Sequence, residues 1–222
     1  MRRLRRESRF PPPARGLTDG RVTAGVDLFW LPLGAGGHSV RLNGIVYEIV
    51  VARLERRARC DLYHSALEVD VPSGRFVIEM TPVRAADGAE REVVAGGPVG
   101  ARWAGRFRVF RYEVRRWRDG VIPDVAEAVD SPRRVVDGPL QAQRILDLVP
   151  AVPTPVWGRD ELKTGDMWNS NSVVSWLLAG GDVDAASILP PSGGRAPGWR
   201  AGVTVARWQR QANGQGRVDR ST

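Results

Sequence analysis

The stretch that decides the fold is Trp168-Asn169-Ser170-Asn171-Ser172-Val173-Val174-Ser175-Trp176-Leu177-Leu178, closed by Gly180-Gly181. Polar residues lead and apolar ones follow at 173, 174, 176, 177 and 178. Asn169 or Ser170 can cap the orphan N–H groups of a first helical turn, and the glycine pair can end the helix. Apolar side chains point to nearly every side, so the pattern predicts a buried helix rather than a surface one. A buried helix that opens with hydroxyl and amide groups holds them at the positive end of its dipole. A nucleophile or an anion-binding group would sit there. An ordinary capped core helix would look the same.

Upstream, residues 63–81 read YHSALEVDVPSGRFVIEMT, two alternating runs around the turn Pro72-Ser73-Gly74. That is a β-hairpin. If Asp70 pairs with Arg75, Val69 faces Phe76 and Leu67 faces Ile78, and these four with Met80 form one apolar face. The opposite face then carries His64, Ala66, Glu68, Asp70, Arg75, Val77, Glu79 and Thr81, a largely solvated surface. Glu79 opposes Ala66 in this register and becomes a diagonal neighbour of His64, about 7–8 Å away along the backbones. A histidine and a carboxylate thus share a face.

The chain around these two units is less legible. Residues 1–20 are rich in Arg and Pro and predict a disordered basic tail. Residues 28–44, LFWLPLGAGGHSVRLNG, read as a tight loop between extended segments, and their glycines match no phosphate-binding pattern. His38 lies in this loop and has no assigned role. Ile45 to Leu54 reads as a strand. Cys60 lies four residues from His64, about 13 Å along a strand, too far for a local thiol–imidazole pair; a structural cysteine is the reading. Residues 82–105 predict a loop, and 106–117, RFRVFRYEVRRW, a long strand. Ile122-Pro123-Asp124 can start a short helix ending near Val129. Apolar positions 142, 145, 146 and 149 mark an amphipathic helix over 139–149. A last strand is expected at 202–208, then a disordered polar tail over 210–222. Residues 21–209 form one α+β domain in this reading, an antiparallel sheet packed on the 170–179 helix.

Composition narrows the function. The net charge of +8 resides in the tails: residues 1–21 contribute +5 and 207–222 contribute +3, leaving 22 basic against 22 acidic residues between them. The total therefore implies no nucleic-acid face on the folded domain, although local patches are open. Lys163 is the only lysine. A single cysteine excludes an internal disulfide and a multi-cysteine metal site, and no cofactor motif is present. No apolar run is long enough to span a bilayer and no signal-peptide core follows the basic start, so a cytoplasmic location is expected.

The hairpin YHSALEV…GRFVIEMTP and the later NSNSVVSWLL together resemble the permuted papain-like superfamily, which includes lecithin–retinol acyltransferase-like proteins and NlpC-type peptidases. Tyr63-His64 matches the strand that carries the histidine there, Glu79 the second polar position, and Asn169-Ser170 the Asn-Cys that opens a buried helix. Three features depart from the pattern: the loop between the strands is longer, the second polar residue is Glu where the acyltransferase-like members usually have His, and the nucleophile position holds Ser170 instead of Cys. The resemblance implies a hydrolase or acyltransferase working through an acyl-Ser170 intermediate. His64 would be the base and Glu79 its orienting group, because a hydroxyl needs a general base where a thiol needs only a lowered pKa. Trp168, Asn169, Asn171 and Tyr63 would line the binding cleft for a small-molecule, peptide or lipid substrate. The alternative is a catalytically silent papain-like domain that binds a peptide, lipid or acyl ligand. Substrate and oligomeric state are not fixed by the sequence.

Overall fold

The computed structural model describes residues 23–36, 60–83 and 92–218. The strand expected at 45–54, His38, the tail over 1–20 and the last residues, 219–222, lie outside them. Among them, six strands build one antiparallel sheet: β1 (Gly25–Gly36), β2 (Tyr63–Val71), β3 (Gly74–Pro82), β4 (Val93–Pro98), β5 (Arg111–Arg118) and β6 (Val129–Asp137). Their order across the sheet is β4-β5-β3-β2-β1-β6. Among the described residues there are three α-helices, α1 (Pro139–Leu148), α2 (Ser170–Gly180) and α3 (Trp199–Val218). The class is α+β, as expected. No helix among the described residues is long and apolar enough to cross a membrane.

The β2–β3 hairpin has the register read from the sequence: Asp70 pairs with Arg75, Val69 with Phe76 and Leu67 with Ile78. Alternation then sorts the side chains. Val26, Leu28 and Trp30 of β1, Tyr63, Leu67 and Val69 of β2, and Ile78 and Met80 of β3 join the helices in the main core. Phe29, Leu31, Ala66, Val77 and Ile122 form a second, smaller cluster on the far face. Both faces of the middle strands are therefore buried, and Glu68 and Asp70, expected in solvent, are 4% exposed.

Helix α1 buries Ala142, Ile145 and Leu146, with Val149 following, at the four positions the periodicity marks. Helix α2 is buried all round from Ser170 to Ala179 and Gly181 caps its C-terminus. It packs on β2 and most heavily on α3. Trp30 of β1 meets Trp199 at the head of α3, with ring centroids 5.0 Å apart.

Five local expectations are corrected. Residues 28–36 belong to β1, because Leu28-Phe29-Trp30-Leu31 sends apolar groups alternately to two buried faces, a central-strand pattern rather than a loop. Residues 93–98, within the loop expected over 82–105, form the edge strand β4. Its Gly96 and Gly97 let it lie against Tyr112, where any Cβ would overlap the tyrosine's carbonyl or ring. Strand β5 starts only at Arg111, since 102–106 and 108–110 are 3₁₀ turns. The helix expected from Ile122 shrinks to a 3₁₀ turn at 125–127, and 129–137 pairs as the edge strand β6, an edge being where Pro132 is tolerated. Finally, 202–208 is part of α3 and not a strand.

Candidate functional site

Helix α2 opens as the sequence suggests. The Asn169 side chain accepts from the backbone N–H groups of Asn171 and Ser172, and the Ser172 hydroxyl accepts in return from the Asn169 N–H. This reciprocal box satisfies the Asn169, Asn171 and Ser172 N–H groups from within the chain. The first-turn amides of Asn171 and Ser172 are thus engaged by Asn169. The other amide group on this turn, Asn171, is 1% exposed. Its Oδ1 accepts from the Ser65 hydroxyl at 2.8 Å, and its Nδ2 donates to the carbonyl oxygens of Tyr63 at 2.9 Å and Pro197 at 2.8 Å. Asn171 therefore pins the helix to the first residues of β2.

That contact fixes the direction of His64. Tyr63 and Ser65 belong to the helix side of β2, so the residue between them points to the far face. There its imidazole meets the segment that carries Asp124, the carboxylate whose charge acts on it. Burial pushes the imidazole down to about 4 from its ordinary 6.5, against the opposing pull of Asp124. Ser170 sits on the helix side, is 6% exposed, and its hydroxyl hydrogen-bonds to no described residue. Ser170 and His64 thus lie on opposite sides of the sheet.

Glu79 does share the far face with His64, but its nearest described cation is Arg115. That residue is its cross-strand partner on β5, with the charges 3.9 Å apart. Arg115 is 5% exposed and also holds Glu113 at 2.9 Å. The Ser170–His64–Glu79 set expected from the resemblance is therefore not brought together. Of the residues expected to bind, Trp168 is 2% exposed with an indole N–H that finds no described acceptor. The Tyr63 ring is packed against Gly194, where a Cβ would overlap it, and burial raises its hydroxyl pKa, helped by Asp61 and Asp130.

Around α2 the polar contacts continue inward. Ser172 donates toward the carbonyls of Gly198 and Met167, and Ser175 toward that of Trp199. Asp166 accepts from the N–H of Gly198 with both oxygens, at 3.0 and 2.9 Å, and from Met167 at 2.9 Å. Burial pushes its carboxyl pKa up despite these bonds. These side chains lock the heads of two helices together.

One group of carboxylates went unread in the sequence. The oxygens of Asp27, Glu68 and Asp70 lie within 4.8 Å of one another, all buried. Such oxygen donors suit a hard cation, but Arg134 holds Asp27 at 3.0 Å and Arg75 holds Glu68 at 2.9 Å. These two arginines compensate two of the three carboxylates. A cavity of about 290 Å³ at the end of α2 is lined by Ala179, Asp182, Val203 and Arg207 and includes none of the expected site residues.

No family model, no curated protein and no solved structure matches the chain.

Proposed function

We propose that this chain is a catalytically silent relative of the permuted papain-like proteins, a binding domain for a peptide, lipid or acyl ligand. The observation that carries the reading is the placement of His64 across the sheet from Ser170. A serine needs a base at hydrogen-bond distance to attack an acyl carbon, and strand alternation denies it one. The order of elements supports the kinship: a Tyr-His strand, a hairpin, then a buried helix opened by Asn169 and packed on that same strand. The way the polar groups of this helix are spent supports the silence. Asn169, Asn171, Ser172 and Ser175 all bond within the protein.

The test is a thiol-reactive acyl probe on the Ser170→Cys variant in a Cys60→Ser background. A nucleophile helix with a base beside it would give labelling faster than that of the denatured protein. The expected result is none. Labelling that is rapid and disappears on adding His64→Ala would restore the hydrolase reading.

A further inference from the structure

The segment that joins β4 to β5 is RWAGRFRVFR, residues 102–111. Four of its ten residues are arginine and none is acidic. Its large apolar side chains face outward: Trp103 is 66% exposed, Val109 72%, and Phe107 and Phe110 nearly half. An apolar loop would ordinarily turn such groups in. This one is held open. Ala104 is buried, and Gly105 lies so close to Pro98 that any Cβ there would crowd it. Backbone bonds step through the segment from Ala104 to Ala101, Phe107 to Ala104 and Phe110 to Phe107, and Val99 bonds to Phe110. Arg102 is anchored by Glu161. Arg106, Arg108 and Arg111 pair with no carboxylate among the described residues.

We infer that residues 102–111 dock this protein on an anionic lipid bilayer surface, Trp103, Phe107, Val109 and Phe110 entering the headgroup boundary while Arg106, Arg108 and Arg111 meet lipid phosphates and carboxylates. Aromatic side chains favour that depth, and cations beside them add attraction to anionic lipid. Single-stranded nucleic acid is the other partner that takes arginine with aromatics, but it needs open ring faces for base stacking. Here the Arg106 guanidinium lies over both rings, 5.5 Å from the Trp103 centroid and 4.8 Å from that of Phe107. Val109, the most exposed of the four, offers a base nothing. Protein interfaces also favour aromatics and arginine; the three arginines that pair with no described carboxylate are what point to an extended anionic surface. The inference does not depend on whether α2 carries chemistry.

Cosedimentation of the full chain with phosphatidylcholine vesicles, with and without phosphatidylserine, tests it. Binding is expected only with phosphatidylserine and falls as salt is added. The Arg106→Ala/Arg108→Ala variant should partition at least about tenfold less, each arginine near the surface counting for roughly fivefold. Val109→Asp and Trp103→Ser should each lose most of the bound fraction with an unchanged melting temperature, since both side chains are exposed. Wild-type protein that ignores phosphatidylserine would overturn the inference, as would variants that bind like wild type because the terminal arginines suffice. So would a labelled single-stranded oligonucleotide that phosphatidylserine vesicles fail to displace.

Discussion

His64 and Asn171 show what single residues decide here. Asn171 satisfies three backbone or hydroxyl partners from inside the core. Replacing it with Ala strands the Tyr63 carbonyl and the Ser65 hydroxyl, while the Pro197 carbonyl keeps its bond from Asn169, at about 1–3 kcal/mol for each group left unsatisfied in the interior. Urea unfolding of Asn171→Ala should therefore give a midpoint well below wild type, and Asn171→Asp one lower still, because a carboxylate would face two carbonyls. For His64 the sign of the pH effect is fixed by its depressed pKa. The unfolded chain binds a proton below about 6.5 that the folded chain refuses until about 4. Stability is thus fully present above 6.5 and is lost as pH falls through that window. The loss is at most about 3 kcal/mol, reduced by the part of the residue that water reaches. Unfolding midpoints measured across that range should slope for wild type and flatten for His64→Gln. A slope unchanged in the variant would mean that another group titrates there.

At the level of elements, the contact between α2 and α3 depends on Gly202. A Cβ there would overlap the Ser172 carbonyl and the Ser175 hydroxyl. Glycine to alanine within a helix gains about 1 kcal/mol of propensity, but the clash with backbone forces the helices apart, and overpacking costs about 1–3 kcal/mol. The clash should win: Gly202→Ala should unfold at lower temperature than wild type. A higher melting temperature would show that the helices can shift freely. The same elements show what a sequence reveals. The β2–β3 hairpin, α1 and α2 were readable because their periodicity and caps are local properties. β4 and β6 were not, since VVAGGP and VDSPRRVVD have weak strand propensity and become strands only by pairing with β5 and β1. The last helix, α3, was read as a strand at 202–208 because VTVARW suits either state until neighbours choose. The candidate site failed differently: the hairpin register put His64 and Glu79 on one face correctly, yet nothing local says which face α2 will cover.

Across the whole molecule, residues 210–213 of α3 contribute little. Residues 210–213 are exposed, and Arg210 reaches Asp182 at 3.5 Å in a surface pair. Such pairs are worth about 0–1 kcal/mol, so truncation after Gln209 should lower the melting temperature by no more than about 2–4 °C. A larger drop would mean that the final turns are part of the core. The sheet order has another kind of outcome. Strand β1 lies between β2 and β6, and Gly25 finds its partner Asp137 far along the chain. On a ribosome adding about 5–20 residues per second, β1 therefore waits on the order of 5–20 s with one hydrogen-bonding edge open after it emerges. During synthesis that edge, lined by Leu28 and Trp30, is a template for any passing strand, so nascent chains stalled before residue 129 should be the ones that holdase chaperones retain.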